Sequence, residues 1–240
     1  MKLPVIRGII KRRVLVNFRA EPEMIQRILP ENFSPKLYKG KAIAGICLIK
    51  LEQIRPKHTP EFIGLSSENA AHRIAVEWDE NGETKEGVFV PRRDTDSLLN
   101  HLAGGRVFSS EHHLAEFEIE ENETDINYEM RSEDGEVSLK FSGKVADKLP
   151  LDSIFDSHET ASVFFEKGSL GYSPDKKGEN LDGIVLQIDK WKTKPLEIDF
   201  VESSFFEDRD IFPKDSIEFD HALLMQNIEH EWHTAKKGVF

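Results

Sequence analysis

One four-residue segment restricts the fold of this chain more than any other. The residues Asp79-Glu80-Asn81-Gly82 separate two stretches rich in β-forming side chains, 74–78 and 86–90. Asn-Gly between two such stretches is the strongest local signal for a tight β-hairpin, because both residues tolerate the left-handed backbone conformation that the turn needs. We therefore expect two antiparallel strands here.

Most of the remaining chain shows similar strand patterns. Alternating or continuous apolar stretches occur at 14–18, 42–54, 114–121, 125–131, 136–145, 184–191, 196–203 and 217–228. Three short helices are expected, one opened by Glu21-Pro22, one capped by Asp94 and one preceded by the capping-box-like segment 156–159. The pattern predicts one domain over residues 1–240, mostly β (α+β), as an antiparallel barrel or sandwich with a few short peripheral helices.

Charge and cysteine content exclude several classes of function. A net charge of −12 argues against a nucleic-acid backbone as partner, which needs a basic face, so no nucleic-acid partner is expected. The single cysteine, Cys47, cannot form an internal disulfide, which is typical of a reducing compartment. Residues 1–13 lack the apolar core of a signal peptide, and no apolar run reaches membrane length. We expect a cytoplasmic protein without a membrane partner.

Candidate functional residues gather between Glu68 and His113. At the mouth of an apolar barrel, the Glu68 carboxylate would act as a general acid or base; otherwise it is a solvated loop residue. Neighbouring strand residues face opposite ways, so His72 shares a face with Ile74, where a polar side chain suits a ligand. Arg73 points to the other face, where Glu77 is its simplest partner.

Three further arginines are candidates for binding an anion. A guanidinium group holds a carboxylate or phosphate with two parallel hydrogen bonds, and Arg92 and Arg93 follow each other at a strand end. Alternatively, these two arginines form local ion pairs with Asp94 and Asp96. Arg106 follows two glycines, which permit close approach of a ligand, and its alternative is a surface position at a helix end.

The histidine pairs suggest proton transfer rather than metal binding. His112 and His113 lead into a strand and face opposite ways, so one of them is a candidate proton-transfer group and the other is structural. His230 and His233 invite comparison with a zinc site, but their spacing lacks the helical HExxH pattern. We expect no metal and no other cofactor. Cys47 lies in an apolar strand without a neighbouring polar group, which favours a core position over a nucleophile.

Several motifs resemble one uncharacterised bacterial family, often called YqjF-like, over nearly the whole chain. They are NFRAEPEMIQRILPENFSPKL, GICLIKL, SSENAAHRIAVEWDENG, VPRRDTDSLLNHLAGGR and FDHALLMQNIEHEW. That family is distantly similar to acetoacetate decarboxylase, whose R-T-D-P-E-A-L and V-P-E-P segments resemble residues 19–24 and 29–31. The resemblance implies a mostly antiparallel barrel or cone with a buried pocket, and it implies assembly into a homo-oligomer.

The departures from the decarboxylase pattern are informative. Its catalytic glutamate, in a T-E-S-G segment, corresponds to Glu68, and its G-R…K-K segment begins at Gly105-Arg106. Where the decarboxylase has the two lysines that provide a Schiff-base amine, this chain has His112-His113, and residues 94–115 contain no lysine. The substrate-region arginine of the decarboxylase falls near residues 11–13.

These observations lead to two hypotheses of different kinds. In the first, Glu68 and one of His112 and His113 carry out acid/base chemistry on a small keto or carboxylic acid without a Schiff base, and arginines hold the anion. Proton abstraction next to a carbonyl, hydration and lactone hydrolysis all need only such groups. In the second, the pocket binds a small molecule without turnover.

Overall fold

Strands make up most of this computed structural model, which describes residues 4–98, 101, 111–175 and 180–235. The strands are β1 (Ile6–Ala20), β2 (Ser34–Pro35), β3 (Leu37–Tyr38), β4 (Lys41–Pro56), β5 (Leu65–Glu80), β6 (Glu83–Thr95), β7 (His113–Glu121), β8 (Asp125–Ser132), β9 (Ser138–Val145), β10 (Leu170–Pro174), β11 (Leu181–Ile188), β12 (Lys194–Ser203) and β13 (Ile217–Thr234). The helices are α1 (Pro22–Ile28), α2 (His158–Glu166) and α3 (Ser204–Glu207), with short 3₁₀ turns at Glu61–Ile63 and Lys167–Ser169.

The Asn-Gly hairpin forms as the sequence predicts. Asn81 and Gly82 have φ angles of 57° and 82°, and they join β5 to β6 with Glu80 paired to Glu83. Because side chains alternate along both strands, this register determines which residues share a face from the turn as far as Ile74, and a register shift between His72 and Ile74 resets the pairing beyond it.

The strand pairings form two closed circuits that share the sheet β6–β5–β4–β1–β13. One circuit continues from β13 through β12, β9, β8 and β7 back to β6. The other continues from β13 through β11 and β10 to β6. The prediction of a mostly β fold with a few short helices is confirmed. The sheet is mixed rather than wholly antiparallel, because β6 pairs in parallel with both β7 and β10.

The shared sheet is covered on both faces. One face packs into the main core, which includes Val14, Ile46, Ile74 and Tyr128. The opposite face carries a smaller apolar cluster, in which Leu15, Cys47 and Ala75 contact residues of α2. Neighbouring residues of a shared strand therefore enter different environments.

Two local predictions about helices differ in their outcome. Ser157 caps α2 and forms a reciprocal capping box with Thr160, which confirms that helix start. Asp94 does not cap a helix, because it is a buried residue inside β6. Its side chain instead binds Arg92. Most of the predicted helix after it lies outside the described residues.

Candidate functional site: an arginine-lined cavity

Cross-strand register brings the candidate residues together on the outer face of the shared sheet. Leu15, Cys47, Ala71 and Arg93 are successive partners across β1, β4, β5 and β6. Residues opposite one another in adjacent strands point to the same face, so this row lies on one side of the sheet. Residues two positions away along each strand, such as Arg73 on β5, lie on the same side.

A cavity of about 140 Å³ lies against this face, enclosed by the circuit that contains β10 and β11. Its walls are mainly apolar, and polar groups enter from the shared sheet. The lining residues are Arg13, Cys47, Ile49, Leu51, Asn69, Ala70, Ala71, Arg73, Val88, Val90, Arg93, Asp94, His112, Gly168, Ser169, Gly171, Ile184, Leu186 and Trp232. Such a mixture of apolar walls and a few polar groups is typical of a small-molecule site.

Three arginines of the lining have only neutral hydrogen-bond partners. Arg13 Nε donates to Cys47 Sγ over 3.1 Å, and its buried Nη1 has no partner in the part of the chain that the structure describes. Arg73 donates from Nη2 to Asn17 Oδ1, and its Nε has no described partner. Arg93 donates from Nε and Nη2 to Ser173 Oγ over 3.3 and 3.1 Å.

The charge of these arginines persists at neutral pH. Burial lowers the pKa of Arg73 and of Arg93 to about 10, which still leaves both guanidinium groups protonated at pH 7. Arg73 is only 4% exposed, and its guanidinium carbon lies 4.8 Å from the centre of the Phe165 ring. The expected Arg73–Glu77 pair is not formed, because Arg73 donates to Asn17 instead. Within the described ranges, no salt bridge joins Arg13, Arg73 or Arg93 to a carboxylate.

Two titratable side chains, His112 and Asp94, also line the cavity. His112 is buried in its wall, whereas His113 faces the other way and pairs with Asp134, with 2.9 Å between Nδ1 and Oδ2. Asp94 is fully buried, and burial raises the pKa of its carboxyl group although Arg92 opposes the shift. The structure thus places His112 rather than His113 at the cavity.

Glu68 lies outside this lining, on the core face of the sheet. Its Oε2 is 2.5 Å from Nη2 of the buried Arg12, which also binds Glu121 over 2.9 Å. Burial raises the pKa of the Glu68 carboxyl group, and the positive charges of Arg12 and Lys50 oppose the shift. The sequence placed Glu68 and a histidine in one pocket; the structure gives Glu68 a salt-bridge position instead, and its catalytic role stays a prediction.

The other predicted binding residues take different positions. Arg92 is paired with Asp94, Asp134 and Glu136, so the alternative of local ion pairing describes it. His72 points into the core, 4.4 Å from the Phe205 ring, and burial lowers its pKa to about 3. Arg106 lies outside the described residues.

A family model matches most of this chain. Residues 10–224 match the model of DUF2071, described as an uncharacterized conserved protein. The chain belongs to this family. A search of curated proteins found no significant match.

Solved structures share the fold of this DUF2071 member. Acetoacetate decarboxylase from Legionella pneumophila subsp. pneumophila str. Philadelphia 1 has a TM-score of 0.60 at 14% identity, covering 99% of this chain and 88% of that one. An acetoacetate decarboxylase-like enzyme from Sphingomonas wittichii RW1 has a TM-score of 0.59 at 11% identity, covering 98% and 94%. The enduracididine biosynthesis enzyme MppR, complexed with pyruvate, has a TM-score of 0.59 at 12% identity, covering 99% and 92%.

Two cavity features were missed or misread from the sequence of this DUF2071 member. Cys47 is buried as predicted, but it has a polar neighbour, because Arg13 reaches it from the adjacent strand β1. The sequence indicated Arg13 only through the resemblance to acetoacetate decarboxylase, whose substrate-region arginine falls near residues 11–13. Its signal is position: it is two residues before Leu15, which is the cross-strand partner of Cys47.

The two C-terminal histidines of the zinc comparison make separate contacts. His233 pairs with Glu231 over 3.2 Å between Nε2 and Oε2, and His230 is buried beside Trp232. No group of three or more His, Cys, Asp or Glu side chains in the described ranges is arranged to hold a metal ion. None of the helices in those ranges has the length and apolar character needed to cross a bilayer.

Proposed function

We propose that the arginine-lined cavity binds a small keto or carboxylic acid, and that the protein acts on it by acid/base chemistry without a Schiff-base lysine. One observation carries the proposal. Arg13, Arg73 and Arg93 converge on one cavity, and no described carboxylate forms an ion pair with any of them. Elsewhere in the same fold, Arg12 and Arg92 each bind at least two carboxylates. An anionic ligand would supply the missing partner.

The shape and chemistry of the cavity favour an organic acid over an inorganic anion. Its volume of about 140 Å³ suits a molecule of a few carbon atoms, and Val90, Ile184 and Leu186 form apolar walls. The MppR structure with pyruvate supports this size class. We also propose that the strands form a barrel or cone of the acetoacetate-decarboxylase type. The two closed circuits of strand pairing support this proposal.

In this proposal His112 transfers the proton. It lines the cavity together with the arginines, so a carboxylate bound by a guanidinium group would place the adjoining carbon or carbonyl near the imidazole. Asp94 is the second candidate, because a raised pKa is what a buried general acid needs. The guanidinium groups would stabilise negative charge that develops on a carbonyl oxygen.

Schiff-base chemistry has no amine among the described lining residues. Those residues include no lysine. Lys36 lines an adjoining recess and is bound to Glu86. Proton abstraction next to a carbonyl, hydration and lactone hydrolysis remain the reaction classes that fit such a site.

The binding step is tested by calorimetry with pyruvate, acetoacetate and the neutral ester methyl pyruvate. We expect the acids to bind and the ester to bind at least about tenfold more weakly, because a charged hydrogen bond is lost. Arg93→Met should weaken acid binding by a similar factor. Arg131→Met is the matched control, because Arg131 is an exposed arginine bound to Glu129. Equal affinity for acid and ester would contradict the proposal.

The catalytic step is tested by deuterium exchange at the methyl group of pyruvate, followed by proton NMR. If His112 is the base, wild-type protein should exchange the methyl protons and His112→Gln should not, while its affinity for pyruvate stays within about threefold. Binding without exchange or turnover of any acid tested would favour the alternative, a non-catalytic small-molecule-binding protein.

A further inference from the structure

A single register row connects a buried histidine to the cavity. His221 on β13 pairs with Asn17 on β1, Asn17 pairs with Gly45 on β4, and Gly45 pairs with Arg73 on β5. The four residues therefore lie side by side across four strands and share one face. Only Arg73 of this row lines the cavity.

Gly45 allows the side chains on either side of it to meet. Asn17 and Arg73 are separated by a whole strand, yet Arg73 Nη2 donates to Asn17 Oδ1. A Cβ atom at position 45 would lie 2.3 Å from Val16 O and 3.2 Å from Asn17 Oδ1. The absence of a side chain there leaves the space that the contact occupies. The register between β4 and both of its neighbours is regular at Gly45.

Hydrogen bonds determine which way the Asn17 amide points. Asp220 Oδ1 lies 2.5 Å from His221 Nδ1, so this nitrogen carries the proton and His221 Nε2 is left as an acceptor. Asn17 Nδ2 donates to that nitrogen over 3.1 Å and to Leu15 O over 3.1 Å. Both amide hydrogens are thus used, and Oδ1 is turned toward Arg73.

The row holds Arg73 without neutralising it. The partner of Arg73 is a neutral amide oxygen. The negative charge of Asp220 is balanced by another arginine, because Arg19 Nη1 lies 3.0 Å from Asp220 Oδ2. Asp220 also accepts from Ser153 Oγ and from the backbone of Ile154. Burial lowers the pKa of His221, which keeps the imidazole neutral at pH 7. Arg73 therefore keeps an uncompensated charge and a partner-free Nε among the described atoms.

We infer that His221 and Asn17 are positioning residues that orient the Arg73 guanidinium group to receive the carboxylate of an organic acid. This inference rests on the proposed function of the cavity. Neither residue contacts the ligand in this scheme. Their effect reaches the ligand through the fixed direction of one charged side chain.

Cys47 provides a reporter for the test, because it is the only cysteine and lines the same cavity. Iodoacetate and iodoacetamide alkylate a thiol by the same displacement of iodide, but only iodoacetate is an anion. The measured quantity is the ratio of their rate constants with the folded protein, divided by the same ratio for the chain unfolded in urea. A cavity that attracts anions should raise this normalised ratio by about tenfold.

The His221→Phe variant separates positioning from general damage. We expect its normalised ratio to fall about fivefold, toward the value of Arg73→Met, while the iodoacetamide rate stays within about twofold of wild type. Asn17→Leu, which is nearly isosteric, should lower the ratio as well, because it removes the neutral amide oxygen that holds the Arg73 guanidinium group. His72→Phe is the matched control. His72 is the sequence neighbour of Arg73, but its buried imidazole points into the core, so its removal should leave the ratio unchanged.

The possible failures are distinguishable. A wild-type ratio equal to that of the unfolded chain, or a Cys47 that reacts with neither reagent, would overturn the proposed anion cavity and this inference with it. A raised wild-type ratio that His221→Phe and Asn17→Leu leave unchanged would overturn the positioning role alone. Parallel loss of both rates in His221→Phe and in Asn17→Leu would likewise overturn the positioning role.

Discussion

At the residue scale, adjacent polar side chains are divided between two environments. In each of four dipeptides, one residue is paired with carboxylates or buried in the core and its neighbour lines the cavity. The dipeptides are Arg12-Arg13, His72-Arg73, Arg92-Arg93 and His112-His113. Alternation along a strand explains the division, because successive side chains point to opposite faces of the sheet. Adjacent like residues here are therefore not redundant.

The buried His72 makes stability depend on pH. Its folded pKa of about 3 lies below the unfolded value near 6.5, so the unfolded chain binds a proton first as the pH falls. The neutral His72 side chain therefore contributes fully to the stability of the folded state above about pH 6.5, and this contribution is lost progressively as the pH falls to about 3. Between about pH 7.5 and pH 5, wild-type protein should lose about 2 kcal/mol of unfolding free energy relative to His72→Phe.

Urea denaturation at the two pH values measures this difference. His58→Phe is the matched control, because it makes the same replacement at an exposed histidine. A wild-type protein and a His72→Phe variant that lose stability in parallel would show that His72 is not buried in the neutral form.

At the element scale, α2 forms the cover of the arginine face. Phe165 of this helix lies over the Arg73 guanidinium group, and Phe164 and Phe165 line the recess beside the cavity. The sequence predicts this helix from its cap and apolar residues, but nothing local says which strands it covers. The same limit applies to Arg13 and Cys47, whose contact depends on pairing between β1 and β4.

Removing the helix cap should destabilise this cover. Ser157→Ala deletes the side-chain acceptor for the Thr160 backbone N–H, and we expect a loss of about 1 kcal/mol of unfolding free energy. Urea denaturation at neutral pH provides the measurement. Ser138→Ala, at an exposed strand position, should change stability by less than about 0.5 kcal/mol. Equal losses in the two variants would contradict a capping role.

At the scale of the whole molecule, one shared sheet serves both a core and a cavity. The strands β1, β4, β5, β6 and β13 belong to both circuits, so both of their faces are covered. The strands β10 and β11 belong only to the circuit around the cavity, and none of the side chains of β11 is fully buried. The strand β11 is therefore less firmly packed than the sheet it covers.

Hydrogen exchange should reveal this difference. Backbone amides of β11 are expected to exchange faster than those of β1 and β4 by at least about tenfold, because local opening needs little apolar surface to be exposed. Peptide-resolved mass spectrometry measures the rates, with β8 as an internal comparison from the other circuit. Equal protection of β11 and β1 would mean that the two circuits open as one cooperative unit.

The sequence by itself determined the mostly β fold, the Asn81-Gly82 hairpin and the opposite facing of neighbouring polar residues, because these depend on local backbone preferences and on side-chain alternation. Only the tertiary structure decided which face became the cavity. Asn17, Gly45, Arg73 and His221 are far apart in the chain, and their contact depends on the register between strands, which local pattern does not specify. Glu68 shows the same limit: its strand was predictable, but its burial against Arg12 was decided by long-range pairing.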